Sequence, residues 1–126
     1  MLRSTLDPLE AARFGEVSTP ARGDIIWLSF DPQAGREQGG RRPAVVISPV
    51  SYNLKVGLAI CCPITSKSKG YPFEVALPDG LGITGVVLAD QVKSLDWRTR
   101  QAEIVGRLPQ VALEEVLAKI AALIQV

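Results

Sequence analysis

What most constrains this chain is a series of six short runs of β-branched, aromatic and small apolar residues between positions 24 and 107. They read "DIIWLSF" (24–30), "PAVVIS" (43–48), "GLAICCP" (57–63), "YPFEVAL" (71–77), "GVVLAD" (85–90) and "AEIVGR" (102–107). Each is short and rich in the residues that suit a pleated, half-buried surface, so each reads as a strand. The breaks hold Pro32, Gly35, Gly39, Gly40, Pro49, Asn53, Gly70, Pro78, Gly80 and Gly82, residue types that turn a chain. Close connections leave no room for crossover helices, so the strands are expected to pair antiparallel in a small barrel or sandwich. The period changes only after Pro109. Leu113, Val116, Leu117, Ile120 and Ile124 recur at helical spacing, and Glu114 and Glu115 suit the positive half of such a helix. This helix is expected to pack across the barrel.

Residues 1–22 are different in kind. "DPLEAARFG" reads as a short helix, with Asp7 as N-cap, Pro8 at the first helical position, Glu10 completing a capping box and Gly15 as the stop. "EVSTPAR" then reads as a linker, either mobile or docked on the domain. A chain of 126 residues is the size of one domain and is expected to bury one core, not two. The longest apolar run, 116–124, is broken by Lys119, and no window reaches the roughly 20 apolar residues of a spanning helix. No basic start with a following apolar stretch opens the chain, so no signal peptide is read and a cytoplasmic location is expected.

Composition narrows the chemistry. There is no histidine, and the two cysteines, Cys61 and Cys62, are adjacent. Neighbours on a strand point to opposite faces, and a bond between them would close a strained ring, so both are expected as free thiols. A zinc or haem site lacks its ligands, and no metal or cofactor is expected. With the commonest general base missing, acid–base work falls to Glu, Asp, Lys, Arg or hydroxyls. Net charge is +1 but uneven: residues 36–69 hold Arg36, Arg41, Arg42, Lys55, Lys67 and Lys69 against one acid, Glu37. Such a patch attracts polyanions even when the whole chain is near neutral.

The connection 31–42 is long for a hairpin loop and contains "REQGGRRP". It is either an ordinary solvated turn or a site for an anion. Gly39 and Gly40 permit a sharp turn and close backbone approach. Pro43 disfavours a helical Arg42, so Arg42 should be extended and emerge at a strand rim, a good place for a guanidinium that meets phosphate. A second candidate is "ITSKSKG" (64–70), where Thr65, Ser66 and Ser68 interleave with Lys67 and Lys69. If this strand lies beside the Arg42 strand, Thr65 and Arg42 converge; otherwise Thr65 is a turn-capping hydroxyl. Hydroxyl, guanidinium and carboxylate together suit phosphoryl transfer on RNA, where the 2′-hydroxyl is a built-in nucleophile. A third is "LADQVKSLDW" (88–97), whose Asp90 and Gln91 either read base edges or satisfy a turn. Trp27 and Trp97 are able to stack on bases, but Trp27, among Ile25, Ile26 and Leu28, is expected in the core.

The segments "GDIIWLSFDPQAGREQGGRRPAVVISPVSYN", "PITSKSKGYPFEVAL" and "GVVLADQVKSLDWRTR" resemble, in the same order, the MazF/PemK toxins of bacterial toxin–antitoxin pairs. The resemblance runs from Gly23 almost to the C-terminus, so residues 1–22 stand as an N-terminal extension and 23–126 as the toxin-like domain. It implies a mainly β fold with α: a small SH3-like antiparallel barrel, of the CcdB/MazF kind, with a C-terminal helix, working as a homodimer. It implies a metal-independent, sequence-specific endoribonuclease on single-stranded RNA, leaving 2′,3′-cyclic phosphate and 5′-hydroxyl ends and halting translation and growth. It also implies a cognate MazE-like antitoxin whose acidic tail blocks the RNA groove. By motif position, Arg42 in "RRP" and Thr65 in "PIT" match the family's catalytic arginine and threonine, and Glu37 in "EQGG" matches the glutamate proposed as base. Gln38, Arg36, Arg41, Lys67, Ser68 and Gln91 are the implied RNA-contact group. Arg36 and Ser29 depart from residues seen in relatives, which bears on the cleaved sequence more than on the chemistry. Two other readings stand beside this one: a CcdB-like toxin that kills by binding a protein, and an inactive RNA- or antitoxin-binding module.

Overall fold

The computed structural model describes residues 18–29 and 40–125. The helix expected over 7–15 and most of the 31–42 connection, with Arg36, Glu37 and Gln38, lie outside the described residues. The described elements are β1 (Asp24–Ser29), β2 (Arg41–Val46), α1 (Val50–Val56), β3 (Leu58–Thr65), β4 (Glu74–Ala76), β5 (Val86–Leu88), β6 (Lys93–Asp96), β7 (Glu103–Arg107) and α2 (Gln110–Ile124).

Every strand pairing is antiparallel, as expected. The sheet runs β4-β5-β3-β2-β1-β7, with β6 joined to β3 off this path. β3 is the hub. It pairs β2 through Ala44↔Pro63, Val45↔Cys62 and Val46↔Cys61. β6 joins it along Leu58–Cys61 and β5 at Ile64 and Thr65. The outer strands β4 and β7 do not pair with each other, so the small barrel-like sheet is not closed by a ladder.

Two elements depart from the sequence reading. β6 is not among the six expected strands, because in "KSLD" only Leu95 is apolar; its neighbours are solvent-facing, and pairing with β3 makes the strand. The stretch after Pro49, expected as a turn, is the helix α1, which ends at Gly57. Val50 and Val56 are weak helix formers, and the flanking Pro and Gly are the local signal for this helix.

The buried residues form two clusters, not the one core expected. Ile25, Val45, Cys62, Val87, Leu113 and Val116 belong to one, and Ile26, Leu28, Ala44, Val46, Cys61 and Trp97 to the other. Alternate residues of β1, β2 and β3 therefore serve opposite faces. α2, β4 and β5 contribute to the first cluster, and Leu95 and Trp97 to the second. A strand covered on both faces reads as an unbroken apolar run, which is what "AVVI" and "AICC" show. Cys61 and Cys62 are free, buried and on opposite faces. Burial pushes each thiol up to about 12, so both stay protonated and serve as packing near neutral pH. On α2, Ala112, Leu113 and Val116 are buried, but Ile124, the end of the expected stripe, is 74% exposed. The helix extends past the cluster it covers.

One polar node ties these layers together. Asn53 is fully buried; its Nδ2 donates to the carbonyls of Pro20 (2.8 Å) and Ser48 (3.0 Å), and its Oδ1 accepts from Ser48 Oγ. Its backbone carbonyl accepts from Trp97 Nε1 at 3.0 Å. The node holds residues 18–22 against the domain, where Thr19 and Pro20 are buried. Asn53→Ala is expected to destabilise the fold by about 2–4 kcal/mol, since two buried carbonyls and a hydroxyl lose their partner. Urea denaturation measures this; a loss below about 1 kcal/mol would show that water replaces the amide at no net cost.

Candidate functional site

The β2–β3 register decides which side chains share the rim of the sheet. Ala44 pairs with Pro63, and the same register carried two residues further sets Arg42 opposite Thr65. Adjacent strands lie about 4.8 Å apart, so the guanidinium and the hydroxyl reach a common space. Both line a cavity of about 670 Å³ with Trp27, Arg41, Pro43, Lys67, Ile83 and Thr84. Among the described residues, three cations and no carboxylate line it. Such a lining favours an anionic ligand.

Arg42 is exposed and lies in β2, extended as Pro43 requires. Arg41 also lines the cavity but is tied back to the protein. It donates to the carbonyls of Trp27 (3.1 Å) and Gln101 (2.7 Å) and to Ser29 Oγ (3.1 Å), and lies 3.8 Å from Glu103 Oε1. Arg41 thus braces the rim of β2 to β1 and to the turn before β7. It lines the cavity while three of its N–H groups are held by protein oxygens.

Thr65 ends β3, and its Oγ1 accepts the backbone N–H of Lys67 at 3.2 Å. This is the turn cap that the sequence allowed, and it coexists with a place in the cavity. The bond occupies one lone pair and leaves the hydroxyl proton for a ligand. The same turn brings Lys67 into the cavity.

A smaller cavity of about 280 Å³ shares Thr65 and Lys67 and adds Lys69, Tyr71, Glu74, Leu88, Asp90 and Gln91. A chain-like ligand crossing Thr65 therefore reaches Gln91. Ser68 lines neither cavity: its hydroxyl donates to Glu74 Oε1 at 2.7 Å. Glu74 also accepts the N–H groups of Lys69 (2.9 Å) and Gly70 (3.1 Å). These bonds, that of Lys69 first, hold its carboxyl below the usual range. Ser68 shapes the 68–74 turn. Among the described residues, no three carboxylates or thiols gather where a metal ion would sit.

Trp27, expected in the core, is half-buried and lines the larger cavity, while Trp97, left open between base stacking and packing, is wholly buried. Trp27 sits opposite Pro43 near the end of β1. Trp97 buries its indole because the Asn53 carbonyl accepts its N–H. Tyr71, Ile83 and Thr84 are not singled out by the sequence, where only proximity to strand ends points to them, and Trp27 is weighed as a base-stacking residue but assigned to the core.

Comparison with known proteins follows the same outline. A family model described as PemK-like, MazF-like toxin of type II toxin–antitoxin systems matches residues 21–124. The chain is 53% identical to the endoribonuclease toxin MazF of Escherichia coli strain K12 over 105 residues, 83% of this chain and 94% of that protein. It is 36% identical to the endoribonuclease PemK of Escherichia coli over 108 residues, covering 82% and 80%. A crystal structure of MazE–MazF from Deinococcus radiodurans superposes with a TM-score of 0.79 at 56% identity, covering 83% of this chain and 95% of that one.

Proposed function

The chain belongs to the PemK-like, MazF-like toxin family, and from this premise we propose that it is the endoribonuclease toxin of a toxin–antitoxin pair, cutting single-stranded RNA at specific sequences without a metal ion. The observation that carries the reading is the convergence of Arg42 and Thr65 on one cation-lined cavity. An RNA phosphodiester brings its own nucleophile. In the proposed reaction the Glu37 carboxylate takes the 2′-hydroxyl proton, and the 2′ oxygen attacks phosphorus. The bond to the 5′ oxygen breaks, and that oxygen leaves with a proton. The products are a 2′,3′-cyclic phosphate and a 5′-hydroxyl. Arg42 matches the charge that builds on the phosphorane, with a planar fork of donors, and supports protonation of the leaving oxygen. Thr65 holds and polarises the phosphate. Lys67 and Gln91 line the path for the flanking nucleotides, and Arg41 lines the cavity beside them; Arg36, Gln38 and Ser68 are proposed as RNA contacts on the family resemblance alone.

The Deinococcus radiodurans relative is solved with MazE. By the same likeness this chain acts as a homodimer held in check by a MazE-like antitoxin, whose acidic tail suits the cationic groove. No described helix is long and apolar enough to cross a membrane, and the proposed setting is the cytoplasm, where mRNA is met.

The experiment is incubation of the purified protein with mixed single-stranded RNA in EDTA, followed by mapping of cut sites and end groups. Discrete cuts with cyclic-phosphate and 5′-hydroxyl ends are expected. A folded protein that cuts no RNA would instead support a protein-binding toxin, and cutting that requires added metal would overturn the mechanism.

A further inference from the structure

Part of the cavity lining, Ile83 and Thr84, is carried by the segment just before β5, and this segment meets Thr65 at an unusually close seat. Gly85 has φ +127°, and a Cβ added there would stand 2.1 Å from the Thr65 carbonyl oxygen, 2.8 Å from its carbon and 3.0 Å from Ser66 Cα. No side chain fits between these backbones. Gly85 is also tied to the chain after β4, because its carbonyl accepts the N–H of Leu77 at 2.9 Å. On its other flank, Ile83 packs on the first core cluster and Thr84 lines the cavity. The next residue, Val86, pairs with Thr65 itself.

We propose that Gly85 is a positioning residue for the reaction: its bare backbone locks the Thr65–Lys67 turn and this part of the cavity lining into one rigid unit. This rests on the endoribonuclease reading. The Thr65 hydroxyl is set by its own backbone and by the Lys67 N–H it accepts. Pressure on the Thr65 carbonyl or on Ser66 therefore rotates hydroxyl and Lys67 together. A misplacement of about 1 Å at a reacting group costs about a hundredfold in rate. Binding along the rest of the groove does not depend on this seat, so the loss belongs to kcat.

The test uses Gly85→Ala with Gly82→Ala as its control. Gly82 also has positive φ, +77°, but a Cβ there meets nothing within 4 Å. Backbone strain alone affects both variants; the close seat affects only one. On a short RNA with one mapped cut site, and with rates divided by the folded fraction from circular dichroism, Gly85→Ala is expected to lose about a hundredfold in kcat with KM within about threefold. Wild-type kcat in Gly85→Ala, or an equal loss in Gly82→Ala, would overturn the proposal. If Gly85→Ala does not fold, native-state hydrogen exchange on the wild-type chain decides. The amides of Leu77 and Lys67, on the two sides of the seat, are expected to open together, with opening constants within about threefold of each other. Free exchange at Lys67 beside a protected Leu77 would show two independent units and refute the seat. A wild-type protein that cuts no RNA would refute the function and leave the exchange result standing.

Discussion

The Arg42→Ala variant is expected to lose RNA cleavage by about a thousandfold or more, which is about 4 kcal/mol of transition-state stabilisation. Arg42 is exposed on β2 and lines the cavity, so its removal leaves neither core cluster short of a side chain. The fold, and with it binding of the antitoxin, should largely persist. Arg42→Lys is expected to restore little, since an ammonium supplies charge but not the planar fork that spans two phosphate oxygens. Single-turnover cleavage of an RNA with one mapped site measures the effect, and thermal melting checks the fold. Cutting by Arg42→Ala at the wild-type rate would remove Arg42 from the mechanism.

The second large effect is expected at Thr65. Thr65→Val keeps the shape of the side chain and removes the hydroxyl. The donor to the phosphate is lost, and so is the acceptor that holds the Lys67 N–H. Loss of one donor aimed at developing charge costs about a hundred- to a thousandfold. Thr65→Ser restores both groups and is expected to recover cleavage to within about tenfold of wild type. If Thr65→Val and Thr65→Ser are equally active, neither the hydroxyl as donor nor its cap on the Lys67 N–H contributes to cleavage. If both are dead, the methyl group and the packing of β3 matter more than the hydroxyl.

Both effects concern residues that the amino-acid sequence alone singles out, and the reason is local. Pro43 dictates an extended Arg42, and the glycines before it mark a turn whatever the rest of the chain does. The residues less legible in the sequence are those whose fate is set by distant partners. Trp27 lies in the more apolar stretch, yet it lines the cavity, while Trp97, flanked by Asp96 and Arg98, is buried with its indole N–H on the Asn53 carbonyl. Ser68 and Arg41 carry groups suited to RNA, but Glu74 holds the first, and two carbonyls and a hydroxyl hold the second. Asn53 reads as a turn residue and is instead a buried node among segments far apart in sequence.

The sequence by itself determined the antiparallel β class, the C-terminal helix, the free thiols on opposite faces and the chemistry of the candidate groups. Each follows from a local period or from what a side chain is able to do. The tertiary structure alone decided that Arg42 and Thr65 share one rim, that two clusters rather than one fill the domain, and that Gly85 lies flush against the Thr65 peptide. These depend on strand register and on which segments cover which face. Such long-range pairings are selected by the burial of the whole chain, and no short stretch of it carries them.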